Sequence, residues 1–261
     1  MTNTLEFPVL LRLLDERSAA FRTAVGSAPG LDLPVPTCPG WTLLDLAHHI
    51  GLGRRRWAAI VAAGPADTPP ADAPSAQIED NPTAPRDRDE VLPWLAESTD
   101  LLLNALREAG PDRGTWAWWV KSQSPRTSGA VARHQLQQMA VHTYDAQAAA
   151  GAPQPLPAEV ALEGVDEFQS TCCATTSAWP HDPAVVDYHA TEGRSWRVEL
   201  SPGGAKVTEL SEPGAEDPDV SVRATASDLV LLFYGRVGLD SMQVEGDRKI
   251  IDQLADWDPG V

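Results

Sequence analysis

Val35-Pro36-Thr37-Cys38-Pro39-Gly40-Trp41-Thr42-Leu43-Leu44-Asp45-Leu46-Ala47-His48-His49-Ile50-Gly51 is the stretch in which the chain turns from loop to helix. Pro36, Pro39 and Gly40 resist helix formation, whereas Thr42 offers an N-cap oxygen and Asp45 stands three residues on, the spacing of a reciprocal cap. Leu43, Leu46, Ile50 and Trp57 then recur as an apolar stripe, so a helix is predicted from Thr42 to about Ala63.

Three more helices follow from the same periodicity on either side. Leu10, Leu13, Leu14, Phe21 and Val25 mark residues 5–27, closed by the Gly- and Pro-rich run to Gly40. Val91, Trp94, Leu95, Leu101, Leu102 and Leu106 mark residues 90–109, ended by Gly110-Pro111. Ser128 offers a cap for a helix reaching Ala150, with Gly151 and Pro153 beyond it. Between the second and third helices, Gly64 to Asp89 is rich in Pro, Ala and Asp and reads as a surface loop. Trp116, Trp118 and Trp119 occupy the loop before the fourth helix and read as packing residues.

Past Pro157 the pattern changes. A helix near 158–170 precedes alternating runs at Val185–Ala190, Trp196–Leu200 and Ala205–Leu210, the last two joined by a turn at Pro202-Gly203-Gly204. Val220–Val222 reads as another strand, Ala226–Tyr234 as an apolar helix and Asp247–Ala255 as a final one. The fold class is therefore α+β: a four-helix bundle over residues 1–152 and a smaller α+β domain over 153–261.

The 261 residues carry 20 Lys and Arg against 37 Asp and Glu, a formal charge of −17, and are 43% hydrophobic. Such a field repels phosphate backbones and anionic lipid, so neither nucleic acid nor a membrane is an expected partner, although local arginines can still hold a small anion. No run approaches the ~20 apolar residues of a membrane span, and Met1 to Glu16 lacks a leader pattern, which predicts a cytoplasmic protein. Three cysteines make no disulfide framework, in keeping with a reducing compartment. Cys38 reads as structural, and Cys172 and Cys173 as small core residues. Oligomeric state, monomer or homodimer, stays open.

On the second helix His49 shares a face with Leu46, Ile50 and Gly53, so it should point inward, with His48 about a quarter-turn away. A core histidine satisfied by one hydrogen bond is the plain alternative to a ligand. On the fourth helix Gln135, Gln138, His142 and Asp145 form a polar stripe. Either that stripe faces water, or Gln138 and His142, one turn apart, converge on an ion or ligand.

Val35 to Thr42 followed by Asp45 to Gly51, Tyr144-Asp145-Ala146 at the end of the fourth helix, and Thr225 to Leu229 with Leu231 to Arg236 and Val244 to Asp247 resemble, in this order, three motifs of the mycothiol-dependent maleylpyruvate isomerase and DinB-like superfamily, which includes mycothiol S-transferases. The resemblance implies a DinB-like bundle and a sterol-carrier-like C-terminal domain. It also implies a divalent metal, usually zinc, held by His49, His142 and the residue at 138, with mycothiol as thiol co-substrate and a small-molecule acceptor. His49 and His142 then have catalytic roles, Gln138 and Asp145 contact substrate or thiol, and Arg236 grips a carboxylate.

The family carries Glu where this chain has Gln138. A neutral amide is a weaker zinc ligand than a carboxylate. Three outcomes follow: a weak metal site, a site completed by an acid such as Asp145, or a pocket without metal in which His49 or His142 acts as base. A mycothiol-using S-transferase or thiol-exchange enzyme, which needs the least electrophilic help, is the first expectation. A metal-dependent isomerase of the maleylpyruvate type is the alternative, and a non-catalytic binder the third reading.

Overall fold

The computed structural model describes residues 5–75, 77, 81–210 and 217–258. Four long helices come first: α1 (Phe7–Ser27), α2 (Leu43–Ala63), α3 (Arg88–Ala109) and α4 (Ser128–Ala149). They are followed by α5 (Ala158–Phe168) with a π-helical turn (Gln169–Cys173), then β1 (Ala184–Ala190), β2 (Ser195–Ser201), β3 (Gly204–Leu210), β4 (Val220–Ala224), α6 (Ala226–Phe233), a 3₁₀ turn (Leu239–Ser241), β5 (Gln243–Gly246) and α7 (Lys249–Asp256). Two compact units result. Leu5–Ala117 with Arg126–Pro155 make the first, and Trp118–Pro125 with the chain from Leu156 onward make the second. Two of the loop tryptophans therefore group with the C-terminal unit, something no single cut along the chain expresses.

In the bundle α2 packs on α3 and α1 on α4, while α2 and α4 also meet. Leu14, Phe21, Leu43, Leu46, Ile60, Leu95, Leu102, Leu106 and Leu136 are almost wholly buried, each contributing about 1.5–3 kcal/mol on transfer from water. The start of α2 is the predicted reciprocal cap: Thr42 Oγ1 accepts from the Asp45 amide at 3.2 Å, and Asp45 Oδ2 accepts from the Thr42 amide at 2.8 Å. Partial burial works against the Asp45 charge, but these bonds outweigh it and hold the carboxyl below its ordinary range. The α4 cap is Thr127, one residue before the predicted Ser128; its side chain accepts from the Ala130 amide at 3.3 Å. Ser128 instead bonds the carbonyl of Gly110.

Gly64 to Asp87 forms neither helix nor strand among its described residues, and residues 76 and 78–80 lie outside the described ones. It is tied down at two points, where Arg56 Nη1 donates to the Pro74 carbonyl at 3.1 Å and His48 Nε2 meets the Pro85 carbonyl at 2.6 Å.

The five-stranded sheet of the second unit has the order β3-β2-β1-β4-β5, with β1 and β4 parallel and the other pairs antiparallel. Register puts Val186 and Tyr188 beside Val198 and Trp196 on one side and Val220 and Val222 on the other. All six are buried, and they make the apolar face on which α6 packs. The opposite face carries Asp187, whose carboxylate takes two 2.8 Å bonds from Arg197. Three features were not anticipated: the π-turn, the 3₁₀ turn and β5. β5 has one apolar residue, Val244, in four, too little alternation to read.

Candidate active site

The chain before α2 folds back tightly. The Val35 amide bonds the Trp41 carbonyl at 2.9 Å, the Cys38 amide bonds the Val35 carbonyl at 3.0 Å, and Gly40 closes the loop at φ +84°, a conformation costly for a residue with a Cβ. This loop presents Thr37 and Cys38 to α4. Thr37 Oγ1 donates to Asp145 Oδ1 at 2.6 Å, and Cys38 Sγ donates to Asp145 Oδ2 at 3.5 Å. Asp145 is fully buried, so its two oxygens depend on these bonds and on a third, from His142 Nδ1 to Oδ2 at 2.8 Å. A carboxylate is an acceptor only, so the neutral His142 tautomer carries its hydrogen on Nδ1, toward Asp145, and its lone pair on Nε2.

The His49 ring on α2 lies 5.1 Å from the His142 ring, edge to face at 75°, and Trp41 covers His49 from 5.0 Å. Burial, with the charge of His142 adding to it, pushes the His49 imidazole down to about 4, so it is neutral at pH 7. The site thus holds a neutral His49 imidazole beside the His142 imidazole, the latter backed by a buried carboxylate.

Two readings of the sequence change here. His48, not His49, is the core histidine with one hydrogen bond: it is 2% exposed, bonded to Pro85 and set edge-on to Trp94, while His49 is half-buried. The polar stripe of α4 does not face water. Gln135 and His142 are buried, Asp145 has no exposed surface, and Gln138 is half-buried. The Asp145 carboxylate instead answers to Thr37 and Cys38, two residues that no sequence signal singles out beyond the Cys-Pro-Gly turn itself. Arg236 belongs to the second unit, where its Nη1 donates to the Tyr234 carbonyl at 2.6 Å.

Cys38, His142 and Asp145 bring potential ligand atoms within 4.8 Å of one another. Their spacing suits hydrogen bonds better than a shared ion. Two ligands on a tetrahedral zinc stand ~3.4 Å apart, and the His142–Asp145 contact is 2.8 Å. The set implied by resemblance is His49, Gln138 and His142, of which the two imidazole rings stand 5.1 Å apart. His142 Nε2 is free and oriented from behind by a carboxylate, the usual support of a metal-bound histidine, and His49 is unprotonated.

No helix among the described residues is long and apolar enough to cross a membrane. A search of curated proteins by sequence finds no match. Among solved structures, the mycothiol-dependent maleylpyruvate isomerase superposes with a TM-score of 0.61 at 16% identity, covering 92% of this chain and 93% of the other. A histidine-to-alanine mutant of that isomerase superposes at 0.60 with the same identity and coverage. At that identity the likeness establishes the shared fold. The profile of the mycothiol maleylpyruvate isomerase N-terminal domain matches residues 11–147, and that of the corresponding C-terminal domain matches residues 159–253. With both domain profiles matched in order over most of its length, the chain belongs to the mycothiol maleylpyruvate isomerase family.

Proposed function

We propose that this chain is a mycothiol-dependent isomerase of an activated cis double bond, of the maleylpyruvate kind. The observation that carries the reading is the His142 imidazole held by buried Asp145, with its Nε2 free beside a neutral His49. His142 Nε2 accepts the thiol proton, and the Asp145 carboxylate supplies the countercharge behind it. The sulfur electron pair then forms a C–S bond to the β-carbon of the enone-type substrate, and the π electrons move onto the carbonyl oxygen. Rotation about the new single bond follows. Collapse of the enolate re-forms the double bond in the trans geometry, expels the thiolate and lets it recover its proton from His142. His49, neutral at working pH, can hold the sulfur or the developing oxyanion by a hydrogen bond without competing for the proton. When bound by His49, His142 and the Gln138 carbonyl oxygen, a divalent ion would favour the thiolate over the thiol.

Gln138 favours a second reading, thiol transfer or exchange, because a site with an amide in place of a carboxylate gives less electrophilic help. The two differ in what happens to the thiol. Maleylpyruvate is incubated with the protein and substoichiometric mycothiol, following the double bond by absorbance and the thiol by mass spectrometry. Isomerisation over many turnovers with the thiol recovered unchanged is expected; conversion of the thiol to an adduct in step with product would replace isomerase by transferase. Absence of thiol binding by calorimetry sinks both readings. Gln138→Glu is expected to tighten zinc binding at least tenfold, measured by competition with a chromophoric chelator.

A further inference from the structure

Arg54 lies in the interior of the bundle, where it reaches from α2 to both α1 and α3, and it is 3% exposed. Its Nη1 donates to Ser18 Oγ of α1 at 2.8 Å and to Thr99 Oγ1 of α3 at 2.5 Å, which uses both hydrogens of that nitrogen. Each hydroxyl gives its own hydrogen to a carbonyl one turn back, Ser18 to Leu14 and Thr99 to Leu95, so toward the guanidinium both oxygens act as acceptors alone. They satisfy hydrogens and leave the charge unopposed.

No carboxylate among the described residues stands at ion-pair distance from Arg54; Asp15, whose charge it feels, is exposed and forms no ion pair with it. Scarcity is not the reason, since the chain carries 37 Asp and Glu. A second cation stands nearby instead. Arg22 sits one turn beyond Ser18 on the same face of α1 and has no hydrogen bond or ion pair of its own. Burial, with the charge of Arg22 adding to it, lowers the Arg54 guanidinium to about 9, so it is still charged at pH 7. A buried cation without a countercharge is costly, and a second cation beside it adds to the cost.

The unused edge of Arg54 shows what would offset this. Nε and Nη2 have no hydrogen-bond partner, yet neither is sealed from solvent, in contrast to Arg17 Nε. The small exposed part of the residue therefore includes its free donors. Nε–H and the adjoining Nη2–H are parallel and lie on one side of the guanidinium plane, the side that grips two oxygens of one planar group.

We infer that Arg54, with Arg22 beside it, forms a binding site for a small planar oxoanion of the size of formate, nitrate or bicarbonate. Two parallel bonds from Nε and Nη2 take two of its oxygens, and its charge meets both guanidiniums. A spherical halide cannot reproduce the paired bonds, and a bulky carboxylate is kept out by the narrow opening that 3% exposure leaves. The site shares no residue with the His142–Asp145 pair and does not depend on the reaction carried out there.

The test follows the Arg54 Nε–H resonance of the full ¹⁵N-labelled chain, assigned by its loss in Arg54→Lys, during separate titrations at pH 7 with sodium formate, chloride and benzoate. Ionic strength is held constant with sodium gluconate. Formate is expected to shift the resonance saturably below about 100 mM, with chloride at least fivefold weaker and benzoate giving no saturable shift. Arg22→Gln should weaken formate at least threefold, because the second charge is gone. No saturable shift with formate overturns the proposal, as does chloride or benzoate binding as tightly as formate, or a formate affinity unchanged in Arg22→Gln. Where Arg54→Lys fails to fold, through-bond assignment of the wild-type resonance takes its place, and the three-anion series on the wild-type chain decides the matter.

Discussion

At the scale of single residues, the site depends on how Asp145 spends its two oxygens. Thr37 occupies one and His142 shares the other with Cys38, so the carboxylate is spoken for and acts by holding the imidazole. Asp145→Asn keeps the shape but replaces an obligatory acceptor with a group that can also donate, and the His142 tautomer is no longer fixed. The expected result is a fall in kcat of about 10²–10⁴ with KM little altered. An equal loss in kcat/KM through KM alone would show that Asp145 binds substrate instead. His49 makes a second prediction, on stability. Its folded value near 4 lies below the ordinary 6.5, so the unfolded chain binds the proton more readily. The stabilisation is fully present above pH 6.5 and is lost as pH falls from 6.5 towards 4, by on the order of 3 kcal/mol. Urea unfolding at pH 7.5 and 4.5, with a chelator present, should show wild type losing more stability than His49→Gln; equal losses would refute the assignment.

At the scale of elements, α2 is placed by its cap at one end and by close packing along its length. A Cβ added at Gly51 would run into the Trp94 indole of α3, so the two helices approach there only because no side chain intervenes. Gly51→Ala is expected to cost about 1–3 kcal/mol, read as a lowered Tm, and to reduce activity by tilting the turn that bears His49. A Tm at or above wild type would mean the indole simply rotates away. The cap and this glycine also mark how far the sequence could be read. Thr42 and Asp45 are local, three residues apart, and their signal predicts the helix start to the residue. Apolar periodicity likewise yields the bundle and the hairpin strands. What stays hidden is the contact across about a hundred residues: nothing local says that Thr37 and Cys38 will bond Asp145. Nor does anything local say which of two adjacent histidines will be sealed by a loop carbonyl at Pro85. The orientation of a side chain that lies near the edge of an apolar stripe depends on what arrives from elsewhere, and period alone cannot supply that.

At the scale of the whole molecule the dominant quantity is the net charge of −17, which His49 does nothing to offset because it is neutral. Under the proposed function, an anionic substrate of the maleylpyruvate kind would approach against that field, and the field is screened within about 10 Å at 0.1 M salt. Association should therefore speed up as salt rises. The expectation is a two- to tenfold increase in kcat/KM for a dianionic substrate between ~10 and ~150 mM NaCl, with kcat unchanged. A neutral ester of the same acid should show no such gain. The contrast between the two substrates separates encounter from chemistry, since an effect of salt on the His142–Asp145 pair would move both alike. If kcat/KM for the dianion falls with salt instead, a cluster of cations near the site dominates the approach and the global sign of the chain is irrelevant to its catalysis.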